Sequence, residues 1–377
     1  MAWRADGMTL VFPDAASRIG GHRVFFPLAL VFAALSVPYW TAGYLGWMAV
    51  AWTPAVHAHE MVMGFALAVV GGFLFTKPRR GVLGLAVAAW LLGRAAMLAG
   101  LPAAWAVPAT LAFPVVLFVH GGLPFLRAAK SGHNTVFGPL IGAFAVAEAL
   151  VWAGGDGGRT GVLLALHLVG LLLFTMGGRI IPSATAGAVR QQGGVLVARV
   201  QPRLEWLGVG GAITAALSAA SGWLPEAGAA GAVLTGVCAL ARLARWRTDA
   251  TLRRPDLWSL HLGYAWLGLG WIAAGLERVA PMPGGAGWHV LGAAALGTIA
   301  GSMMVRVSLQ REAWAPDFPP AATLAVLLIG AAAVLRVAAG WVAPAWLMPA
   351  GAMAWMAAHL LILGAVARIL RHPRRRG

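Results

Sequence analysis

Apolar runs of about 20 residues recur along the whole chain, and a run of that length is what a helix needs to cross the hydrocarbon of a bilayer. They fall near 24–45, 57–76, 81–100, 103–126, 135–154, 160–181, 205–222, 228–246, 257–276, 287–307, 320–340 and 346–369. None shows the period-two alternation of a membrane barrel strand. A water-soluble core of similar size is excluded by composition, because 60% of the 377 residues are hydrophobic and only 11% are charged. The expected fold class is therefore all-α: a polytopic membrane protein of twelve transmembrane helices spanning residues 24–370. A lead-in over 1–23 precedes them and a basic tail over 371–377 follows.

The formal net charge of +16 would suggest nucleic acid as a partner of a soluble chain. Its placement argues otherwise. Apart from Arg94, Arg159, Arg278 and Arg336, the 28 Lys and Arg lie in alternate loops, at the helix ends facing them, or outside the first and last spans. Lys77-Pro78-Arg79-Arg80, Arg127 with Lys130, Arg190 to Arg203, Arg242 to Arg254, Arg306 with Arg311, and Arg371 to Arg376 all fall on one side. The positive-inside rule makes that side, and both termini, cytoplasmic. The partner implied is a lipid bilayer, not nucleic acid. Trp40, Tyr44, Trp47, Trp52, Trp105, Trp152, Trp223, Trp288, Trp341 and Trp346 gather at the opposite side, as an interfacial aromatic belt would. Cys238 is the single cysteine, which rules out an internal disulfide, a cysteine-built metal centre and a C-x-x-C-H haem attachment. No signal-peptide pattern opens the chain.

Chemistry concentrates at the mouth of the second span, Val56-His57-Ala58-His59-Glu60-Met61-Val62-Met63-Gly64-Phe65. At helical spacing, His57, Glu60, Met61, Gly64, Ala68, Gly71, Gly72 and Phe75 share a face whose small residues would admit a neighbouring helix or a flat cofactor. The sixth and tenth spans echo it: His59 precedes Gly72 by 13 positions, His167 precedes Gly178 by 11 and His289 precedes Gly301 by 12. Cations follow at Lys77, Arg179 and Arg306. The interval of four helices hints at three four-helix units.

Intramembrane histidine is costly unless paired, hydrated or bound. His167, His289 and His359 lie deepest and favour a role, whereas a plain interfacial position accounts for His57 and His59 as well as ligation does. His22, His133 and His372 fall in loops; His120 and His261 fit packing or a hydrogen bond. Histidines from the second, sixth and tenth helices, converging in the outer half, would offer imidazole to haem iron or copper. Glu60 could orient such an imidazole. Arg94, Arg159 and Arg336 are outer-side cations suited to haem propionates, though a salt bridge to Glu148 or Asp156 accounts equally for the first two. Arg179 and Arg306 read as helix-end cations or cofactor contacts. Walker, serine-triad and H-E-x-x-H patterns do not occur.

His57-Ala58-His59-Glu60-Met61 running into Gly64-Phe65-Ala66 and Gly72-Phe73-Leu74, Arg179-Ile180-Ile181-Pro182-Ser183, Gly21-His22-Arg23-Val24-Phe25-Phe26-Pro27-Leu28, and His289 to Arg306 together resemble the NnrS family over nearly the whole chain. The resemblance implies a twelve-helix protein of the bacterial inner membrane carrying haem b and copper, and a role in binding or detoxifying nitric oxide. A more distant similarity is to the main subunit of haem-copper oxidases, but the seventh span lacks a His pair and Leu171 stands four residues after His167. His57, His59, His167 and His289, with His359, are the preferred metal ligands; turnover and the electron donor are left open. The competing class is a transporter or channel whose polar residues line a substrate or proton path.

Overall fold

The structure is a computed structural model describing residues 18–128, 136–153, 155, 156 and 158–373. His133, the lead-in before Arg18 and the tail beyond Pro373 lie outside the described residues. Every regular element among the described residues is helical. We number the long segments α1 (His22–Tyr44), α2 (Pro54–Leu74), α3 (Arg80–Leu98), α4 (Ala103–Gly122), α5 (Phe137–Ala153), α6 (Arg159–Gln191), α7 (Pro202–Ser221), α8 (Pro225–Ala244), α9 (Pro255–Val279), α10 (Pro283–Arg311), α11 (Pro320–Ala338) and α12 (Pro344–Arg371).

Nine of these are long and apolar enough to cross a membrane: α1 to α4, α6, α8 and α10 to α12. The chain is a multi-pass membrane protein. The α5 helix is apolar but has only 17 residues, while α7 and α9 carry charged residues inside their ends. Helices neighbouring in sequence pack together along most of the chain, and α12 returns against α1. Fully buried side chains such as Phe25, Phe65, Phe174, Tyr264 and Trp271 fill the centre. Leu35, Leu92, Leu217 and Leu327 are exposed on the outer faces, where lipid makes exposure inexpensive.

The aromatic residues divide into two groups. Trp47, Trp105, Trp223, Trp341 and Trp346 are exposed, as a belt requires, whereas Trp40 and Trp52 are buried. Two of the expected belt residues therefore belong to the interior.

The sixth apolar run closes at residue 181, yet α6 continues through Pro182 to Gln191. A proline inside a helix lacks the N–H that would bond the carbonyl four residues earlier. Here that carbonyl belongs to Gly178, and Arg242 Nη2 of α8 donates to it at 3.2 Å. Satisfying the freed group from a neighbouring helix lets the helix carry on. Arg242 is fully buried, lies over the rings of Phe174 and Trp246, donates to Tyr264 OH at 3.2 Å and faces Glu205 at 3.4 Å. A Cβ at position 178 would collide with its guanidinium, so glycine is required there.

At the basic end Glu312 clasps the start of α1. His22 Nε2 donates to Glu312 at 2.9 Å, Arg23 pairs with the same carboxylate, and Arg311 donates to the carbonyls of Gly72 and Phe73 at 3.0 Å each, capping α2. Burial opposes a charge on Glu312, but the bonds from Arg23 and His22 outweigh it and hold the carboxyl below the usual carboxylate range. A carboxyl depressed in the folded state stabilises it above the unfolded pKa, and that contribution is lost as pH falls through the folded value. Glu312→Gln is therefore expected to cost about 1–2 kcal/mol at neutral pH. It should also flatten the acid decline of the melting temperature that the wild type shows below roughly pH 5. Parallel melting curves for the two proteins across that range would contradict this account.

Candidate functional site

A cavity of about 670 Å³ opens at the end of the bundle opposite the basic loops. Its size lies within the range of about 300–1,000 Å³ typical of small-molecule and cofactor sites. His57 and Met61 of α2, Leu163 and Leu166 of α6, and His289, Ala293 and Leu296 of α10 form its walls, with Trp40 and Trp355 from α1 and α12. Tyr44, Asp156, Arg159, Glu277, Gly284 and Arg336 surround the mouth.

His57 and His289 face each other in this cavity. Their rings are nearly parallel, 17° apart, with centroids separated by 6.4 Å, and Trp40 stacks on His57 at 5.0 Å. His289 Nδ1–H donates to the Gly285 carbonyl at 2.8 Å, which leaves Nε2 as the ring's lone-pair nitrogen. Neither ring nitrogen of His57 has a hydrogen bond among the described residues, and its buried Nδ1 is without a partner. A π-helical turn follows each histidine closely, over Glu60–Ala66 in α2 and Val290–Ala295 in α10. Such turns recur at functional sites because they redirect side chains and free backbone carbonyls. Within the α2 turn, Trp90 Nε1 of α3 donates to the Gly64 carbonyl at 2.9 Å.

The face expected for α2 divides at its start. Met61 stays with His57 on the cavity, but Glu60 points away, toward α3 and α5. There it belongs to a buried polar chain. Arg94 Nε lies 2.8 Å from Glu60 Oε2, Glu60 Oε1 accepts from His59 Nδ1 at 2.9 Å, and His59 Nε2 reaches Glu148 at 2.7 Å. Trp152 Nε1 donates to the other Glu148 oxygen at 3.0 Å. His59 thus has both nitrogens engaged, and Arg94 pairs with Glu60 rather than with Glu148. A side chain at Gly64 would meet the Phe32 ring and the Arg94 stem, so its absence admits that arginine.

The family model described as NnrS protein matches residues 19–374. The chain belongs to the NnrS family. No curated protein and no solved structure matches it.

Two further histidines of this NnrS chain share the arrangement of His289. His167 Nδ1–H donates to Leu163 O at 2.6 Å and His359 Nδ1–H to Trp355 O at 2.8 Å, while the buried Nε2 of each has no partner. His167 packs on Trp288 and Trp271; His359 packs on Phe65 and Trp355, which also line the cavity. A backbone bond at Nδ1 that presents Nε2 is how proteins hold an imidazole for a metal. Among the described residues, no three His, Cys, Asp or Glu side chains gather into one metal-binding group.

Arg179 and Arg306 stand at the basic end, outside the cavity lining. Arg179 lies over Phe137 and 4.0 Å from Glu205, and Arg306 pairs with Asp256. His261, also at that end, has both nitrogens bonded, to Thr185 and Thr248. Arg336, at the mouth, donates to Gly284 O at 2.7 Å. Sequence reasoning missed Trp40 and Trp288 as site residues by assigning both to the belt. Glu277 was missed as well; it accepts from the Gly287 N–H at 2.7 Å and so braces the turn that carries His289. A carboxylate near the end of an apolar helix was the available signal for it.

Proposed function

We propose that the cavity holds a histidine-ligated metal cofactor, haem b accompanied by copper, at which the protein binds or detoxifies nitric oxide or a related nitrogen species. The observation that carries this reading is the pair of nearly parallel imidazoles, His57 and His289, facing each other across an aromatic-walled space of cofactor size. The donor set fits, since neutral imidazole suits both iron and copper. His167 and His359 are the further ligands this reading favours, on their unpartnered Nε2 atoms. His59 would have to release a carboxylate before it could ligate. Bound there, the cofactor would supply the reversible coordination and one-electron chemistry that the protein lacks.

The chain's own residues do the rest. Trp40, Trp288 and Trp355 exclude water from the walls, Met61 is a soft neighbour, and Arg159 with Arg336 offers positive charge at the mouth to anionic groups on a cofactor's edge. Glu60, Arg94 and His59 hold α2 in place, and Arg179 and Arg306 do the same for the basic end. In this reading all twelve helices cross the bacterial inner membrane as three four-helix units, with the basic loops and both termini cytoplasmic.

The purified protein is expected to show a Soret band that shifts on addition of nitric oxide. In His57→Ala and His289→Ala the haem content should fall about tenfold or more, the scale expected when a metal ligand or its support is lost. His120→Ala, at the exposed inner turn, should leave it unchanged. A colourless, metal-free protein that is fully folded would instead favour the transporter or channel, for which the open cavity and the buried charges of α2, α3 and α5 would line the path.

A further inference from the structure

Between α9 and α10 lies a polar seam that the cavity does not account for. The two helices run antiparallel in a fixed register: Asp256 pairs with Arg306, Gly263 packs against Ile299 and Thr298, and Gly270 packs against Leu291. That register sets Ser259 level with Ser302. Asp256, Ser259 and Gly263 share one face of α9 by helical spacing, and Thr298, Ser302 and Arg306 share one face of α10. Ser259, Ser302 and Thr298 are each 0% exposed, and the hydroxyl of each has no hydrogen-bond partner in the protein.

Three orphaned hydroxyls in one interface demand a physical account, because a buried hydroxyl without a partner costs about 1–3 kcal/mol. Thr175 and Thr185 bond back to their own helix, to Leu171 O and Ile181 O. Ser36 and Ser308 are unpartnered singly, but only here do three such hydroxyls fall on one facing pair of helices among the described residues. The seam hydroxyls lie in line behind an ion pair at the basic face, and α10 carries them about 12 Å inward from Arg306 to Thr298 at 1.5 Å per residue. Leu296, the deepest α10 residue on the cavity wall, is two positions beyond Thr298.

We propose that the α9–α10 seam is a hydrated proton inlet. Water bridging Ser259, Ser302 and Thr298 connects the Asp256–Arg306 gate at the basic face with the depth of the cavity, supplying protons from the side opposite the cavity mouth. Asp256, held by both Arg254 and Arg306, marks the inlet's end at the basic face, and the hydroxyls, each both donor and acceptor, pass protons inward. The inlet's service to cavity chemistry rests on the metal reading above. The existence of the inlet does not.

The single native cysteine makes the test direct. In a Cys238→Ala background, Ser302→Cys, Thr298→Cys and Ser259→Cys are exposed to silver ion, and the residual thiol is counted by alkylation after denaturation. Ala300→Cys, on a buried residue of the same helix, is the dry control. The seam cysteines are expected to react at least tenfold faster than the control, and faster when silver is added at the basic face. Seam cysteines as inert as the control would overturn the proposal, since the hydroxyls would then be packed dry. Three seam positions keep the comparison standing if one variant misfolds. Because labelling does not involve the cofactor, a colourless protein with reactive seam cysteines keeps the inlet and loses the metal, and a coloured protein with inert ones does the reverse.

Discussion

Glu148→Ala is expected to destabilise the folded protein by about 3–5 kcal/mol, the cost typical of removing one member of a buried ion pair. Its partner His59 is 2% exposed and uses both nitrogens, one toward Glu148 and one toward Glu60. With both carboxylates ionised, each of those contacts requires an N–H, so the ring must carry two protons. The row Arg94, Glu60, His59, Glu148 then sums to zero charge. Taking out Glu148 strands a positive imidazolium among apolar helices, which is where most of the cost arises. His59→Ala should cost a similar amount by stranding Glu148. The double variant Glu148→Ala with His59→Ala leaves the Arg94–Glu60 pair intact and neutral, so it should be less destabilised than the two single changes added together, by about 2 kcal/mol or more. Thermal unfolding of the four proteins in one detergent measures the cycle. Single variants within about 0.5 kcal/mol of wild type, the range of ordinary surface changes, would mean that water reaches these groups and that the chain is no brace for α2.

The helices themselves were legible, because length and apolarity are what a bilayer selects and both can be counted along a sequence. His57 and His289 were legible as candidates for the same reason: an imidazole beside a glycine-rich apolar run has few cheap places to go. Their neighbours were harder. Helical spacing put Glu60 and Met61 on one face, but Glu60 goes to Arg94 and Met61 to the cavity. Nothing in residue spacing marks that division, since it is fixed by what packs on both sides. The fate of His59 depended on Glu148, 89 positions away, and that of Trp40 on His57. Trp223 and Trp346 are exposed, as a belt needs, whereas Trp40 is buried, and only packing separates the cases.

The same distance effect governs Pro182, and it yields an expected result whose sign can be tested. Arg242→Met should cost about 3–5 kcal/mol, because it removes a fully buried cation from Glu205 and leaves the Gly178 carbonyl with no donor. Pro182→Ala should then rescue. Alanine restores the backbone N–H that bonds the carbonyl four residues back, and this is the group that Arg242 had served. In the wild-type background the same change adds a second donor to a carbonyl that already has one, so little is gained. Pro182→Ala is therefore expected to stabilise Arg242→Met by about 1 kcal/mol more than it stabilises the wild type, the value of one hydrogen bond. Equal effects in both backgrounds would show that α6 passes its proline without help from α8. The cycle is informative because it is directional: Arg242→Met paired with a change that cannot restore the N–H, such as Thr185→Val one turn on, should show no rescue. A helix that outruns its own proline does so on a hydrogen bond borrowed from 60 residues along the chain, and the coupling between positions 182 and 242 is the measurable form of that dependence.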